Sequence, residues 1–224
     1  PVPALDLPQE RNPFLGWRAV RLGLDRPEIL REQLRAILRA AQETAAEPWI
    51  MMPMVTTLDE VRAARRHLAI CQDSLGWREE VPIHLGIMVE TPAAAISARA
   101  LSHEVDFFSI GSNDLVQYTM AADRTNERVA GLYQPTNPAA LRLIAETAAA
   151  AQAAGIPCGV CGEIAGDERL APLLLGLGVS ELSMSPGALL RVKRRIRATK
   201  MAEARITAEK ALRCATAAEV EQLL

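Results

Sequence analysis

Aromatic residues are scarce in this chain of 224 residues: three Phe, three Trp and two Tyr make up 4% of it, whereas apolar residues reach 50%, much of that Ala and Leu. That balance argues against a β-sandwich and for helix-rich α/β packing. Histidine is equally thin. His67, His84 and His103 show no H-x-x-x-H spacing and read as surface or satisfied residues. The four cysteines, Cys71, Cys158, Cys161 and Cys214, are too few and too scattered for a disulfide framework, so a reducing, cytoplasmic location is expected. No sign of charge dominates: 25 basic against 27 acidic residues leave a formal −2, with no global attraction to nucleic acid or an anionic membrane. The basic run Arg191, Lys193, Arg194, Arg195, Arg197 and Lys200 has no interleaved aromatic and reads as a solvated helix face. Long apolar runs are missing too. The best candidate, Leu170 to Val179, is about ten residues, against the roughly 20 that a spanning helix needs. The opening Pro1-Val2-Pro3, with Asp6, Glu10 and Arg11 close behind, lacks the features of a signal peptide.

What is present is a regular alternation. A chain of this length buries roughly 70% of its unfolded surface as one large domain. Residues 1–16, with Pro1, Pro3, Pro8 and Pro13, read as an extended lead-in segment, and residues 17–224 as the domain proper. From Asp25 and Glu28 a helix start is expected, with Ile29, Leu30, Leu34, Ile37, Leu38 and Ala41 as its apolar stripe. Strands are predicted over 50–54, 83–90, 107–111, 157–161 and 181–185. The intervening helices are predicted from a Thr57/Glu60 capping box to Leu75, over 93–104, over 139–154 with a stop at Gly155, and over 167–177. A loop is expected from Gly76 to Pro82, irregular structure over 114–136, and two closing helices near 187–198 and 200–213.

Apolar strands alternating with amphipathic helices indicate a parallel sheet. The fold class is therefore α/β, as a partial TIM-type (β/α) barrel with about five of eight parallel strands and C-terminal helices, the remaining strands coming from upstream sequence. The alternative is an open doubly wound sheet, for which no Gly-rich phosphate loop follows the first strand.

Barrel chemistry gathers where strands end, and there the sequence puts Glu90, Asn113, Asp114 and Cys161. Glu90 and Asp114 are hard oxygen donors suited to Mg²⁺, or equally are acids that merely cap the helices that follow. Arg18 and Arg124 lie in loop-like stretches and could fork onto a phosphate, or simply be solvated. The Gly111-Ser112-Asn113-Asp114 turn offers backbone N–H groups to an oxyanion. Cys161, between glycines, suits a proton donor to an enolate better than a nucleophile, because an ordinary thiol is mostly protonated at neutral pH. Cys158 pairs with it as C-x-x-C, but lies inside the strand, so zinc and redox readings are both poor. Cys158, Cys71 and Cys214 are expected to be packing residues.

Six segments together resemble a known family: Asn12 to Arg18, Met88 to Ala94, Val105 to Leu115, Ala122 to Arg124, Leu132 to Pro135, and Gly159 to Asp167. They are similar to the C-terminal domain of enzyme I of the bacterial phosphoenolpyruvate:sugar phosphotransferase system. The Cys161-Gly162-Glu163-Ile164-Ala165-Gly166-Asp167 run favours this family over pyruvate phosphate dikinase and phosphoenolpyruvate synthase. The resemblance implies a barrel that binds phosphoenolpyruvate with Mg²⁺ and forms a homodimer. It implies Glu90 and Asp114 as metal ligands, Asn113 and Asp114 as substrate contacts, Arg18 and Arg124 as phosphate ligands, and Cys161 as the proton donor. It also implies a phosphocarrier protein as partner, through an N-terminal region that carries the phosphorylated histidine and that this sequence does not contain. A Mg²⁺-dependent enolate lyase or aldolase on the same barrel, and a non-catalytic dimerisation module, are the competing readings.

Overall fold

The computed structural model describes residues 9–77 and 81–224. Residues 78–80 of the expected loop from Gly76 to Pro82, and residues 1–8 of the lead-in segment, therefore lie outside the described residues. In chain order the elements are α1 (Ala19–Asp25), α2 (Pro27–Thr44), β1 (Trp49–Met52), α3 (Leu58–Leu75), β2 (His84–Val89), α4 (Pro92–Ile96), α5 (Ala98–Leu101) and β3 (Phe108–Gly111). They continue with α6 (Ser112–Met120), α7 (Pro138–Ala154), β4 (Cys158–Cys161), α8 (Ala171–Gly176), β5 (Glu181–Ser183), α9 (Pro186–Arg197), α10 (Met201–Arg213) and α11 (Ala217–Glu221).

Helix ends follow local chemistry. Thr57 accepts a hydrogen bond from the Glu60 backbone while the Glu60 carboxylate accepts from Thr57, the reciprocal capping expected for α3, which ends at Gly76 in the left-handed region. Thr91 caps α4 ahead of Pro92, and Gly155 ends α7. Leu30, Leu34, Leu38 and Ala41 form the buried stripe of α2.

Other expectations need correction. The helix expected from Asp25 begins at Pro27, because Asp25 closes α1, a short helix the sequence reading did not find, and Arg26 occupies the junction with no side-chain cap. The helix expected over 93–104 breaks at Ser97, whose φ of −88° and ψ of 5° re-aim the chain so that Ala98 and Leu101 stay buried while Ile96 faces solvent. The stretch 114–136 is not irregular throughout, since α6 starts immediately after β3. The helix expected over 167–177 shortens to α8, preceded by a 3-10 turn at Glu163–Gly166. Residues 9–16 are not simply extended: Pro13–Leu15 form a 3-10 turn, and the Glu10 carboxylate accepts from the Trp17 N–H at 2.8 Å.

The five strands form one parallel sheet in the order β1-β2-β3-β4-β5. A doubly wound sheet reverses its strand order at a switch point and carries helices on both faces. Neither holds here. Ile50, Met52, Leu85, Ile87, Val89, Phe108, Ile110, Cys158 and Val160 are buried with the helical layer, whereas on the opposite face Trp49 is 53% and Met51 37% exposed. Consecutive strands, each followed by helix and covered on one side only, are successive βα units of a (β/α) barrel.

Candidate active site

Register places the site. Gly111 pairs with Cys161, and Cys161 with Ser183, at the C-terminal end of the sheet. Val89 pairs with Ile110, so Glu90 stands beside Gly111. With strands about 4.8 Å apart, Glu90 and Cys161 flank Gly111 about 10 Å from one another across three adjacent strands. The middle position has no side chain for a steric reason: a Cβ on Gly111 would sit 2.7 Å from Glu90 Oε2 and 2.8 Å from Met88 Sδ.

Glu90 is 5% exposed. One of its oxygens, Oε1, accepts from the Met54 N–H at 2.7 Å. Burial pushes its carboxyl up to about 7, the Met54 bond opposes the rise, the negative charge of Asp114 adds to it and Arg18 works against it. Asp114 lies in the first turn of α6 with Oδ1 buried and without a hydrogen-bond partner, and its Oδ2 lies 3.7 Å from Arg18 Nη2. Arg18 in turn stands over the Phe14 ring, 5.6 Å from its centroid. A buried carboxyl raised to about 7 and a partly buried one with an orphaned oxygen share a deficit of positive charge. That donor set fits a hard divalent cation, which needs only one or two protein carboxylates when substrate and water complete its shell. No group of three or more His, Cys, Asp or Glu side chains able to hold a metal occurs among the described residues.

Asn113 and Cys161 line a cavity of about 600 Å³ together with Gly162, Glu163, Asp167 and Ser183. Asn113 Oδ1 accepts from the Glu163 N–H at 3.0 Å and from the Tyr133 hydroxyl at 3.4 Å. Its NH₂ group is thereby left for a ligand. Cys161 is half-buried and its Sγ donates to the Ile110 carbonyl at 3.5 Å. Burial pushes its thiol above the ordinary value, with Glu90 and Asp114 adding to the rise against a contact to Ser109, so at neutral pH it holds its proton. Gly162 after it has a φ of +100°, and a Cβ there would fall 2.4 Å from Ser112 Oγ. Ser112 Oγ donates to the Cys161 carbonyl at 2.6 Å and joins the two strand ends.

The sequence-predicted residues thus fall into two adjoining groups. Arg18, Glu90 and Asp114 form one. Asn113 and Cys161 form the other, with Arg124 beside them, its Nη1 3.8 Å from Glu163 Oε1. Neighbouring positions Asn113 and Asp114 join the groups through α6. Cys158 is buried on the helical face and its thiol is pushed up to about 12 by burial, whereas Cys161 belongs to the opposite face, so alternation along β4 separates the C-x-x-C pair. Sequence reasoning missed Tyr118, whose hydroxyl donates to the Phe14 carbonyl. It also missed Tyr133 and Met54. Once α6 is known, the i,i+4 spacing of Asp114 and Tyr118 is the signal that would have found Tyr118. A second cavity of about 570 Å³ is lined by Phe14, Arg21, Met54, Gln117 and Tyr118 among others, and by neither Asn113 nor Cys161.

A family profile described as "PEP-utilising enzyme, PEP-binding domain" matches residues 1–201. The phosphoenolpyruvate-protein phosphotransferase of Staphylococcus carnosus is 51% identical over 226 residues, which take in 100% of this chain and 39% of that protein. The protein of the same name from Haemophilus influenzae is 48% identical over 98% of this chain and 38% of its own length. The chain thus spans about two fifths of the curated relatives it matches. Among solved structures, the malate synthase of Haloferax volcanii in its magnesium/glyoxylate complex superposes with a TM-score of 0.51 over 65% of this chain and 44% of that one, at 17% identity, a likeness of fold alone. With the profile covering most of its length, the chain belongs to the PEP-utilising enzymes and carries their PEP-binding domain.

Proposed function

We propose that this chain is the phosphoenolpyruvate-binding part of a phosphoenolpyruvate-protein phosphotransferase of the enzyme I type. In this reading residues 17–224 are the C-terminal portion of the barrel and 1–16 lead into it. The phosphoryl group passes to a histidine outside this chain, and the enolate left behind is protonated to pyruvate. The observation that carries the reading is the row Glu90, Gly111, Cys161 across three adjacent strand ends, with the orphaned Asp114 oxygen beside it.

Glu90 and Asp114 would hold Mg²⁺, which when bound supplies positive charge to the phosphate and enolate oxygens. Arg18 and Arg124 bring guanidinium forks to the phosphate end. The Asn113 NH₂, oriented by the bonds its carbonyl oxygen accepts, donates to the substrate, and the uncapped N-terminal N–H groups of α6 favour an anion there. As the P–O bond breaks towards the histidine, its electrons stay on the enolate oxygen. The enolate methylene carbon then takes the proton from Cys161 Sγ, and the resulting thiolate is reprotonated from solvent. The thiol's raised pKa supports this order of events, since it stays protonated until a carbanion-like carbon is offered.

A phosphocarrier protein would accept the phosphoryl group, and the assembly would be a cytoplasmic homodimer. No helix among the described residues is long and apolar enough to cross a membrane. The test is binding of Mn²⁺, a spectroscopically visible substitute for Mg²⁺, to the full gene product with and without phosphoenolpyruvate. Mn²⁺ binding strengthened by phosphoenolpyruvate and lost in both Glu90→Gln and Asp114→Asn is expected. Binding that survives either substitution would refute the assignment.

A further inference from the structure

The hydroxyl of Tyr118 joins three segments that are distant in sequence. It follows Asp114 by four positions on α6, so the two share a face of that helix. The hydroxyl donates to the Phe14 carbonyl, 104 residues away in sequence, and lies 3.7 Å from Met54 Sδ. Each partner leads on to the site. Met54 gives its N–H to Glu90 Oε1 at 2.7 Å, and the Phe14 ring lies under the Arg18 guanidinium.

We propose that Tyr118 is a positioning residue that sets Arg18 against Asp114 by holding the Phe14 turn onto α6. The inference rests on the phosphoenolpyruvate reading given above and adds to it a residue that does not touch the substrate. Arg18 needs such a hold. Its pair with Asp114 is loose at 3.7 Å and its side chain is 37% exposed, so by itself the ion pair orders little. The other side-chain bonds of the 10–18 stretch tie it to itself or to α1: Glu10 takes the Trp17 N–H, while Arg21 of α1 donates to the Leu15 and Gly16 carbonyls and, at 3.5 Å, ties α1 to Thr56 Oγ1 in the loop after β1. Among the described residues the Tyr118 hydroxyl is the hydrogen bond that crosses from α6 to this stretch. The order of support runs from Glu90 and Met54, fixed at the sheet end, to the phenol, to the Phe14 backbone and ring, and so to the guanidinium.

The experiment uses the full gene product that contains this sequence and measures calorimetric binding of phospholactate, a saturated analogue of phosphoenolpyruvate that lacks the enol, in the presence of Mg²⁺. Tyr118→Phe keeps the ring and removes only the hydroxyl. It is expected to weaken binding by about threefold to tenfold, the loss of one hydrogen bond in a partly buried setting. In an Arg18→Ala background the same substitution is expected to cost less than about twofold, because Tyr118 acts through Arg18. A residue that merely stabilised the fold would instead lower the melting temperature and give the same loss in both backgrounds. Phe14→Leu, which removes the ring under Arg18 and keeps the backbone carbonyl, is expected to show the same dependence on background and stands in should Tyr118→Phe not fold. Equal losses in both backgrounds, or no loss in the first, overturn the inference while leaving the phosphoenolpyruvate reading intact. A wild-type protein that binds no phospholactate sinks both.

Discussion

Glu90→Gln is the substitution that most sharply separates stability from function. The native carboxyl is pushed up to about 7 by its burial, whereas in the unfolded chain it has the ordinary value of 4.5. Between those values the native state holds a proton that the unfolded state has lost. Stability therefore falls as pH rises through this window, and the full cost is present above the folded pKa. The gap, at about 1.4 kcal/mol for each pH unit, amounts to about 3 kcal/mol. Burial of the group leaves little solvent screening to discount it. A glutamine keeps the oxygen that accepts from the Met54 N–H and has no charge to desolvate. In urea unfolding without divalent cation, the variant is expected to be more stable than wild type by about 3 kcal/mol near pH 8, and by less than about 1 kcal/mol near pH 5. Taking the difference between the two proteins cancels every other titrating group. A difference that stays flat across the window, or a variant that is the weaker of the two near pH 8, refutes the reasoning.

Three further outcomes are expected. Leu38→Ala empties a fully buried position in the α2 stripe and should lower unfolding free energy by about 2–5 kcal/mol in denaturant titrations; a loss below about 1 kcal/mol would contradict the packing described. Gly162→Ala forces a side chain into a φ of +100° and against Ser112 Oγ, so a loss of about 2 kcal/mol or more is expected, with a neutral effect as the contrary result. Alkylation of Cys161 by iodoacetamide, followed by peptide mass spectrometry, should rise with pH about a midpoint above that of an ordinary thiol, because its thiolate is disfavoured by burial. Fast labelling at neutral pH would mean an activated nucleophile instead of a proton reservoir.

Much of this was legible in the sequence, for identifiable reasons. The α3 capping box and the Gly155 stop are local signals, complete within a few residues, and both stand in the structure. Strand positions followed from apolar runs bounded by Pro and Gly, and Glu90, Asn113, Asp114 and Cys161 could be placed at strand ends from those runs alone. The helix α6 was hidden because it leaves β3 with no intervening loop, and its Ser112, Asn113 and Thr119 carry weak helix propensity. Its burial of Leu115, Val116 and Gln117 overrides that propensity. Tyr118 and Tyr133 escaped notice since their partners, Phe14 and Asn113, are far off in sequence and meet them only through the fold. The pairing of Arg124 with Glu163 and of Arg18 with Asp114 likewise depends on three-dimensional proximity that no spacing rule encodes.

Removing the thiol of Cys161 addresses the central claim most directly. In the full gene product with Mg²⁺ and phosphoenolpyruvate, Cys161→Ala is expected to bind phospholactate within about twofold of wild type, while pyruvate formation, followed by a coupled lactate dehydrogenase assay, falls by about a hundredfold or more. Parallel loss of binding and turnover would contradict the account and mark the sulfur as a packing group.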